Sequence, residues 1–349
     1  MAPDIVPVRA LSSKMRAREG DFVETSDGLF FDVKGLVHPP DRIVAYLRYY
    51  PNSRGARLRN GLRYAKVYEL SQRHSLVRSK WPQYLYHDEA QGRDLQGVPK
   101  DDVLKLHKPE HRLTAILHSR HRDMLETLAA RLIEILTRRS RLPSVSFGIS
   151  GSLLVGLHQR HSDIDVIVYG EETASRVHGT LNALLEEDEC FHRYREHDLK
   201  RLYTRRGLQN AIGFKDFARQ ESRKVLQGRF MDHDYFIRCV KKWREVTEVY
   251  GDAWYQSKGR CMVSARVVDD EESLLTPCRY LLEHVHILAG PVSRTPREVV
   301  SFRGRFAEQA RTGERIVARG RLESVQSGES RYSRLVVGEG RTDVLRTVG

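Results

Sequence analysis

Apolar and polar positions follow two periods along the chain, and the changes of period mark out four regions. Residues 1–20 mix charged, Pro and small residues and read as a flexible tail. In DFVETSDGLFFDVKGLVH, β-rich runs flank Asp27-Gly28, a tight-turn dipeptide, so a hairpin is expected there. Pro39-Pro40 then breaks the chain. Across 111–141, Leu125, Leu128, Leu132, Ile135 and Leu136 recur at three- and four-residue steps. That spacing predicts one long amphipathic helix, ended by Pro143. Residues 144–255 alternate strand-like and helix-like segments. From about 256, CMVSARVV, REVVSFRGRF, ERIVARGRLESV and RYSRLVVG give short strands between turn residues, as in a small barrel or sandwich. Arg303 and Arg305 are expected on one face of such a strand. The expected organisation is a tail (1–20), an N-terminal domain (21–110), a core with a leading long helix (111–255) and a C-terminal β-rich domain (256–349).

Composition narrows the class. At about 150 residues per domain, 349 residues suggest two to three domains. The chain is 40% hydrophobic and 30% charged, which supports packed cores and argues against membrane and disordered classes. No apolar run approaches the roughly 20 residues of a membrane span. The first twenty residues lack the apolar stretch of a signal peptide. Four widely spaced Cys form no C-x-x-C, so a reducing, cytoplasmic setting is expected.

Net charge is +13, which favours polyanionic partners. Residues 42–80 hold ten basic residues and one acid, Glu69, with Tyr46, Tyr49, Tyr50, Tyr64 and Tyr68 among them. The candidates for nucleic-acid contact are Arg48, Arg54, Arg57, Arg59, Arg63 and Lys66. Cations along a backbone with rings for stacking suit single-stranded nucleic acid. Core tyrosines under a solvated basic face account for the same pattern equally well.

The segment SFGISGSLLVGLHQRHSDIDVIVYG (146–170) carries the chemistry. A short strand leads into Ser150-Gly151-Ser152, followed by an apolar stretch. Backbone N–H groups at such a turn cradle phosphate oxygens, and Gly151 lets the backbone come close. Asp163 and Asp165 then alternate with Ile164 and Val166, so both carboxylates share one strand face. Paired carboxylates repel unless a cation lies between them, and Mg²⁺ takes few carboxylates plus substrate phosphates. Together these outline a two-metal phosphoryl-transfer site. Lys215, Arg219, Arg223 and Lys224 lie on a helical stretch further on, either a solvated face or a grip for pyrophosphate or acceptor. No P-loop, dinucleotide fingerprint, kinase set or H-E-x-x-H is present.

Gly151-Ser152, ten intervening residues and Asp163-Ile164-Asp165-Val166 resemble the signature of the DNA polymerase β-like nucleotidyltransferase superfamily. The whole chain also resembles an archaeal family of predicted nucleotidyltransferases, in its opening DFVETSDGLFFDVKGLVHPPDRIVAYLRYYP and its closing segment from TPCRYLLEHV. The resemblance implies an α+β fold. A polymerase-β-like core of mixed sheet and helices would be flanked by a basic N-terminal domain and a small, barrel-like C-terminal β domain. It implies transfer of NMP from an NTP such as ATP to an acceptor hydroxyl, with release of pyrophosphate. Two Mg²⁺, with Mn²⁺ as a substitute, would be held by Asp163, Asp165 and a third carboxylate on a later strand. Gly151 and Ser152 would hold the nucleotide. In GRFMDHDYFIRCVKKW the third carboxylate is assigned to Asp234, with Asp232 the alternative. A nucleic-acid 3′ end, RNA above all, is the expected acceptor. The alternatives are nucleotidylylation of a protein or small-molecule hydroxyl, and a non-catalytic nucleic-acid-binding protein on the same fold.

Overall fold

A computed structural model describes residues 15–291 and 294–348. Residues 1–14 of the expected tail lie outside the described residues. The rest of that segment is not loose: Ala17, Arg18 and Glu19 are buried, and Met15 packs on the first unit's core. The described residues form two compact units, one up to residue 86 with 94–107, the other 87–93 with 108 onward.

The first unit is a sheet built from hairpins. Strands β1 (Phe22–Thr25) and β2 (Phe30–Val33) pair antiparallel across the Asp27-Gly28 turn, as the sequence predicts. β3 (Arg42–Pro51) follows the Pro39-Pro40 break and buries every second residue from Ile43 to Tyr49. β4 (Arg57–Arg59) and β5 (Leu62–Lys66) form a further hairpin on β3. After helix α1 (Leu70–Lys80), β6 (Leu85–Asp88) pairs with β7 (Arg93–Pro99), and β7 also pairs with β3. β8 (Val103–His107) pairs with β1 and completes the sheet.

The second unit opens with two helices, α2 (Pro109–His118) and α3 (Met124–Ser140), where the apolar period predicts one. The break has a local cause. Residues 119–122 (Ser-Arg-His-Arg) offer nothing apolar to bury. Arg122 turns back to donate to the last carbonyls of α2, Ile116 O (2.6 Å) and Leu117 O (2.5 Å). Asp123 then starts α3 with a capping box: its Oδ1 accepts from Glu126 N–H (2.9 Å), and Glu126 Oε2 accepts from Asp123 N–H (3.2 Å). The predicted apolar face holds, with Leu125, Leu132, Ile135 and Leu136 buried.

Strand β9 (Phe147–Ile149), the short helix α4 (Gly151–Leu154), β10 (Ile164–Tyr169) and α5 (Glu171–Glu187) follow. Then come β11 (Phe191–His192), α6 (Glu196–Arg206), α7 (Phe214–Glu221), β12 (Gln227–Phe230) and β13 (His233–Val240). The five strands form a mixed sheet in the order β11-β12-β13-β10-β9, with β10 and β13 parallel. Ile164, Val166, Val168, Tyr235, Ile237 and Cys239 pack under α3 and α5. The intervening side chains of β10 and β13 face the other way.

The chain ends in a closed ring of strands. β14 (Ala253–Asp269), β15 (Cys278–Ala289), β16 (Glu298–Ser301), β17 (Arg315–Ser327) and β18 (Ser330–Val336) pair in the circuit β14-β15-β16-β18-β17-β14. β19 (Val344–Thr347) joins β17. Cys261, Val263, Ala265 and Val267 of β14 point into the ring's core at period two. The fold is thus α+β, with a mixed-sheet core and a barrel-like terminal β domain. Among the described residues no helix is long and apolar enough to cross a membrane.

Candidate active site

The turn from β9 into α4 is built against β10. Ser150 N–H donates to the Asp165 carbonyl (2.8 Å), which fastens the turn to the strand. Gly151 sits at φ +61°, a region that side chains rarely adopt, and a Cβ there would run into the Asp165 carboxylate. Gly151 therefore backs Asp165 directly, while Ser152 is buried beside it.

Strand register brings the third carboxylate in. Ile164 pairs with Tyr235 and Asp165 with Phe236 in parallel, so Asp163 and Asp234 fall side by side one step earlier. Asp163, Asp165 and Asp234 line one cavity of about 200 Å³ on the sheet face opposite α3 and α5. Asp232 does not line it: it sits exposed in the β12–β13 turn, where Met231 has φ +52°.

Five arginines share the cavity wall, Arg205, Arg206, Arg238, Arg303 and Arg305, among uncharged residues such as Tyr194, Leu202, Gln227 and Phe236. Helix α6 lays one row of arginines along the acids. Arg201 donates to both Asp234 oxygens (2.9 and 3.2 Å), and Arg205 lies 3.8 Å from Asp163. Arg201 and Arg229 also flank the fully buried Asp198 (3.2 and 3.6 Å). Burial pushes the Asp234 carboxyl above its ordinary range, as does the Asp163 charge, while Arg201, Arg205 and Arg229 pull the other way.

Sequence reading missed α6 as part of this wall. The available signal was Arg201 and Arg205 at i,i+4, which share a helix face. The helix that sequence did single out points elsewhere. Arg219 donates to the Thr347 carbonyl (3.1 Å), Arg223 pairs with Glu314 (2.8 Å), and Lys224 is buried against Glu221 (2.9 Å). Arg305 lies in a short 3₁₀ turn (Gly304–Phe306) and Arg303 immediately precedes it, so neither is on a strand. The chain turns there because Gly304 closes onto the ring of Phe236, and Ser301 Oγ accepts from Arg303 N–H (3.2 Å).

Arg206 is held by Glu221 (2.9 Å) and Gln227 (3.1 Å). Burial opposes the Glu221 charge, but Arg206 and Lys224 hold its pKa at about 2. This depressed carboxyl adds stability above its unfolded value near 4.5, and that stability is lost as pH falls toward 2. Glu221→Gln leaves two cations without their carboxylate and is expected to cost about 3–5 kcal/mol in denaturant unfolding at pH 7. A cost under about 1 kcal/mol would show that the network is not structural.

The basic segment of the first unit is largely engaged in its own fold. Arg48 donates to the Val67 carbonyl (3.1 Å) and Arg63 to that of Gly55 (3.3 Å). Arg59 pairs with Glu24 (2.7 Å), and Arg57 is buried over Tyr49. Arg54 is exposed, and Lys66 lies 4.8 Å from the ring of Tyr68. Tyr49 and Tyr64 are core residues, whereas Tyr68 is 56% exposed.

A family model described as a nucleotidyltransferase domain matches residues 129–225. That span takes in Gly151, Ser152, Asp163, Asp165 and α6, and stops short of Asp234. Over 337 residues the chain is 32% identical to an uncharacterized protein of Methanocaldococcus jannaschii, covering 94% of this chain and 97% of that one. No solved structure matches significantly.

Proposed function

The chain belongs to the family of this archaeal relative and carries a nucleotidyltransferase domain of the polymerase-β-like superfamily; from that premise we propose that it moves NMP from an NTP to the 3′ hydroxyl of a nucleic acid, RNA in preference. The observation that carries the proposal is the convergence of Asp163, Asp165 and Asp234 on one cavity, with Gly151 backing Asp165.

These oxygen donors fit a hard divalent cation. Among the described residues no three acidic, His or Cys side chains form a ready-made metal cluster, and Arg201 already occupies Asp234. That suits Mg²⁺, which binds through one or two carboxylates and completes its shell with water and substrate phosphates. Asp163 and Asp165 would hold the ions, two Mg²⁺ or Mn²⁺ in their place. When bound, the ions neutralise charge on the transferring phosphoryl group. Gly151 and Ser152 would meet the nucleotide phosphates at the α4 turn. Asp234 would stand beside the acceptor and take its hydroxyl proton. The acceptor O–P bond forms as the bond from the α-phosphorus to pyrophosphate breaks, and the proton leaves Asp234 for solvent. Positioning and charge neutralisation do most of the rest.

RNA is favoured by the +13 net charge and by Tyr68, an exposed ring lying near Arg48 (5.6 Å) and Lys66 (4.8 Å). The test uses purified protein with Mg²⁺ and each labelled NTP, offered RNA, single-stranded DNA or no added acceptor. Label in RNA that disappears in Asp163→Asn/Asp165→Asn supports the proposal. Label in the protein alone transfers the assignment to nucleotidylylation. NTP and RNA binding with no transfer to any acceptor points to a binding protein.

A pH profile tests the role of Asp234. The acid limb of kcat/KM is expected above 3.8, the ordinary Asp value, because burial disfavours the ionised form. Arg201→Gln should move that limb higher, since it removes a cation that favours ionised Asp234. An unmoved limb would mean that another group titrates.

A further inference from the structure

The two flanks of β10 differ in charge. Gly151 and Ser152 follow β9 on one side, and Asp234 stands on β13 on the other. The cavity arginines gather toward the Asp234 side, with Arg205 also reaching Asp163 (3.8 Å). Arg238 is on β13, Arg303 and Arg305 flank the glycine packed on Phe236 of β13, and α6 is tied to Asp234 through Arg201. Cations at the nucleotide's own turn would serve the triphosphate. Cations gathered beside the third carboxylate face the acceptor.

Arg305 differs from Arg205 and Arg206 within this group. Arg206 has Glu221, and Arg205 has Asp163. Among the described residues no carboxylate forms an ion pair with Arg305, and its buried Nε has no hydrogen-bond partner. The turn that carries it is fixed: Lys224 Nζ donates to the Arg305 carbonyl (2.6 Å), and Gly304 has no room for a Cβ beside Phe236. Burial, with Arg303 and Arg206 nearby, pushes its pKa down to about 9. A buried cation with no carboxylate of the described residues in ion-pair contact and an unbonded Nε, opposed only by the charges of Glu221 and Asp343 beyond ion-pair distance, suits an anion from outside. The cavity, about 200 Å³, has room for a phosphate group beside these arginines.

Resting on the nucleotidyl-transfer reading, we propose that Arg305, with Arg303 and Arg206 beside it, binds a phosphate group of the acceptor, so that the acceptor class is a phosphorylated hydroxyl compound. An RNA end and a small phosphorylated sugar share this chemistry.

The test separates acceptor phosphate from triphosphate. In full-length Asp163→Asn/Asp165→Asn protein without divalent cation, calorimetry would follow binding of inorganic phosphate, ribose 5-phosphate and a short RNA with a free 3′ hydroxyl. All bind the double variant, and adding Arg305→Gln weakens each at least tenfold; Arg303→Gln does the same to a smaller degree. Tighter binding of RNA than of ribose 5-phosphate assigns the phosphate to a nucleic acid, and the reverse order to a small acceptor. Arg305→Gln alone should leave Tm unchanged or raised, since it removes an unpaired cation. With the divalent cation restored, Arg305→Gln in otherwise unaltered protein should leave NTP affinity within about twofold. Unchanged phosphate binding, or a large loss confined to NTP affinity, overturns the proposal. Phosphate binding lost with Arg305 while no NMP transfer is found leaves this site standing and overturns the transfer reading instead.

Discussion

Asn in place of Asp163 or Asp165 is expected to lower NMP transfer by at least ~10³-fold while leaving the fold intact. The two carboxylates, Asp163 just before β10 and Asp165 on it, project at period two onto the face that also carries Asp234. Three acids this close repel, and Asn relieves that repulsion without changing shape. Asp163 has a side chain 37% exposed, so little packing is lost. Tm should therefore hold or rise slightly. Catalysis should suffer because each carboxylate would carry divalent cation to the transferring phosphoryl group. Losing about 4 kcal/mol of transition-state stabilisation corresponds to ~10³-fold. Steady-state kinetics with labelled NTP gives the number, and thermal unfolding separates it from a folding defect. A variant retaining a tenth of the activity would remove that carboxylate from the site.

Gly151→Ala should cost ~10²-fold in kcat, well beyond its effect on stability. Two penalties act at this position. An Ala at φ +61° pays about 1 kcal/mol for the left-handed backbone. Its methyl would also collide with the Asp165 carboxylate. The turn has no way to back off, because Ser150 N–H is bonded to the carbonyl of Asp165 itself. The carboxylate must move, and a displacement of about 1 Å in a catalytic group costs ~10²-fold. Gly61 separates the two effects. It has φ +77° and open space around the position of its missing Cβ. Gly61→Ala should therefore show the backbone penalty in unfolding and no loss of transfer. Equal loss in the two variants would mean that collision with Asp165 plays no part.

Much of the fold is legible in the chain because its causes are local. The Asp27-Gly28 turn is specified by the turn residues themselves, and α3 by its apolar face. The alternation from Asp163 to Val168 fixes which residues face the helices and which face the cavity. The first hairpin and the terminal strands follow from the same period-two pattern. The break at residues 119–123 was available in principle, since Asp123 and Glu126 spell a capping box. The continuous leucine period obscured it.

What stayed illegible depends on partners distant in sequence. An arginine looks the same in the sequence whether it binds a carbonyl, a carboxylate or a ligand. Arg73 is buried and donates to the Val67 carbonyl (3.2 Å), and Arg59 neutralises Glu24. Both add to a basic stretch that reads as a polyanion surface. Arg305 comes to the cavity only because the turn after β16 packs on β13, a contact between segments about 70 residues apart. Ring closure of β14 onto β17 is likewise a long-range pairing that strand spacing does not encode.

The most direct measurement is calorimetric binding of NTP with and without Mg²⁺, for the unaltered chain and for Asp163→Asn/Asp165→Asn. The account predicts tight binding that needs the cation, falls at least tenfold with chelator, and is lost to the same degree in the double variant with Mg²⁺ present. Equal affinity in all three conditions would contradict it, because the aspartates would then not form a metal-dependent nucleotide site.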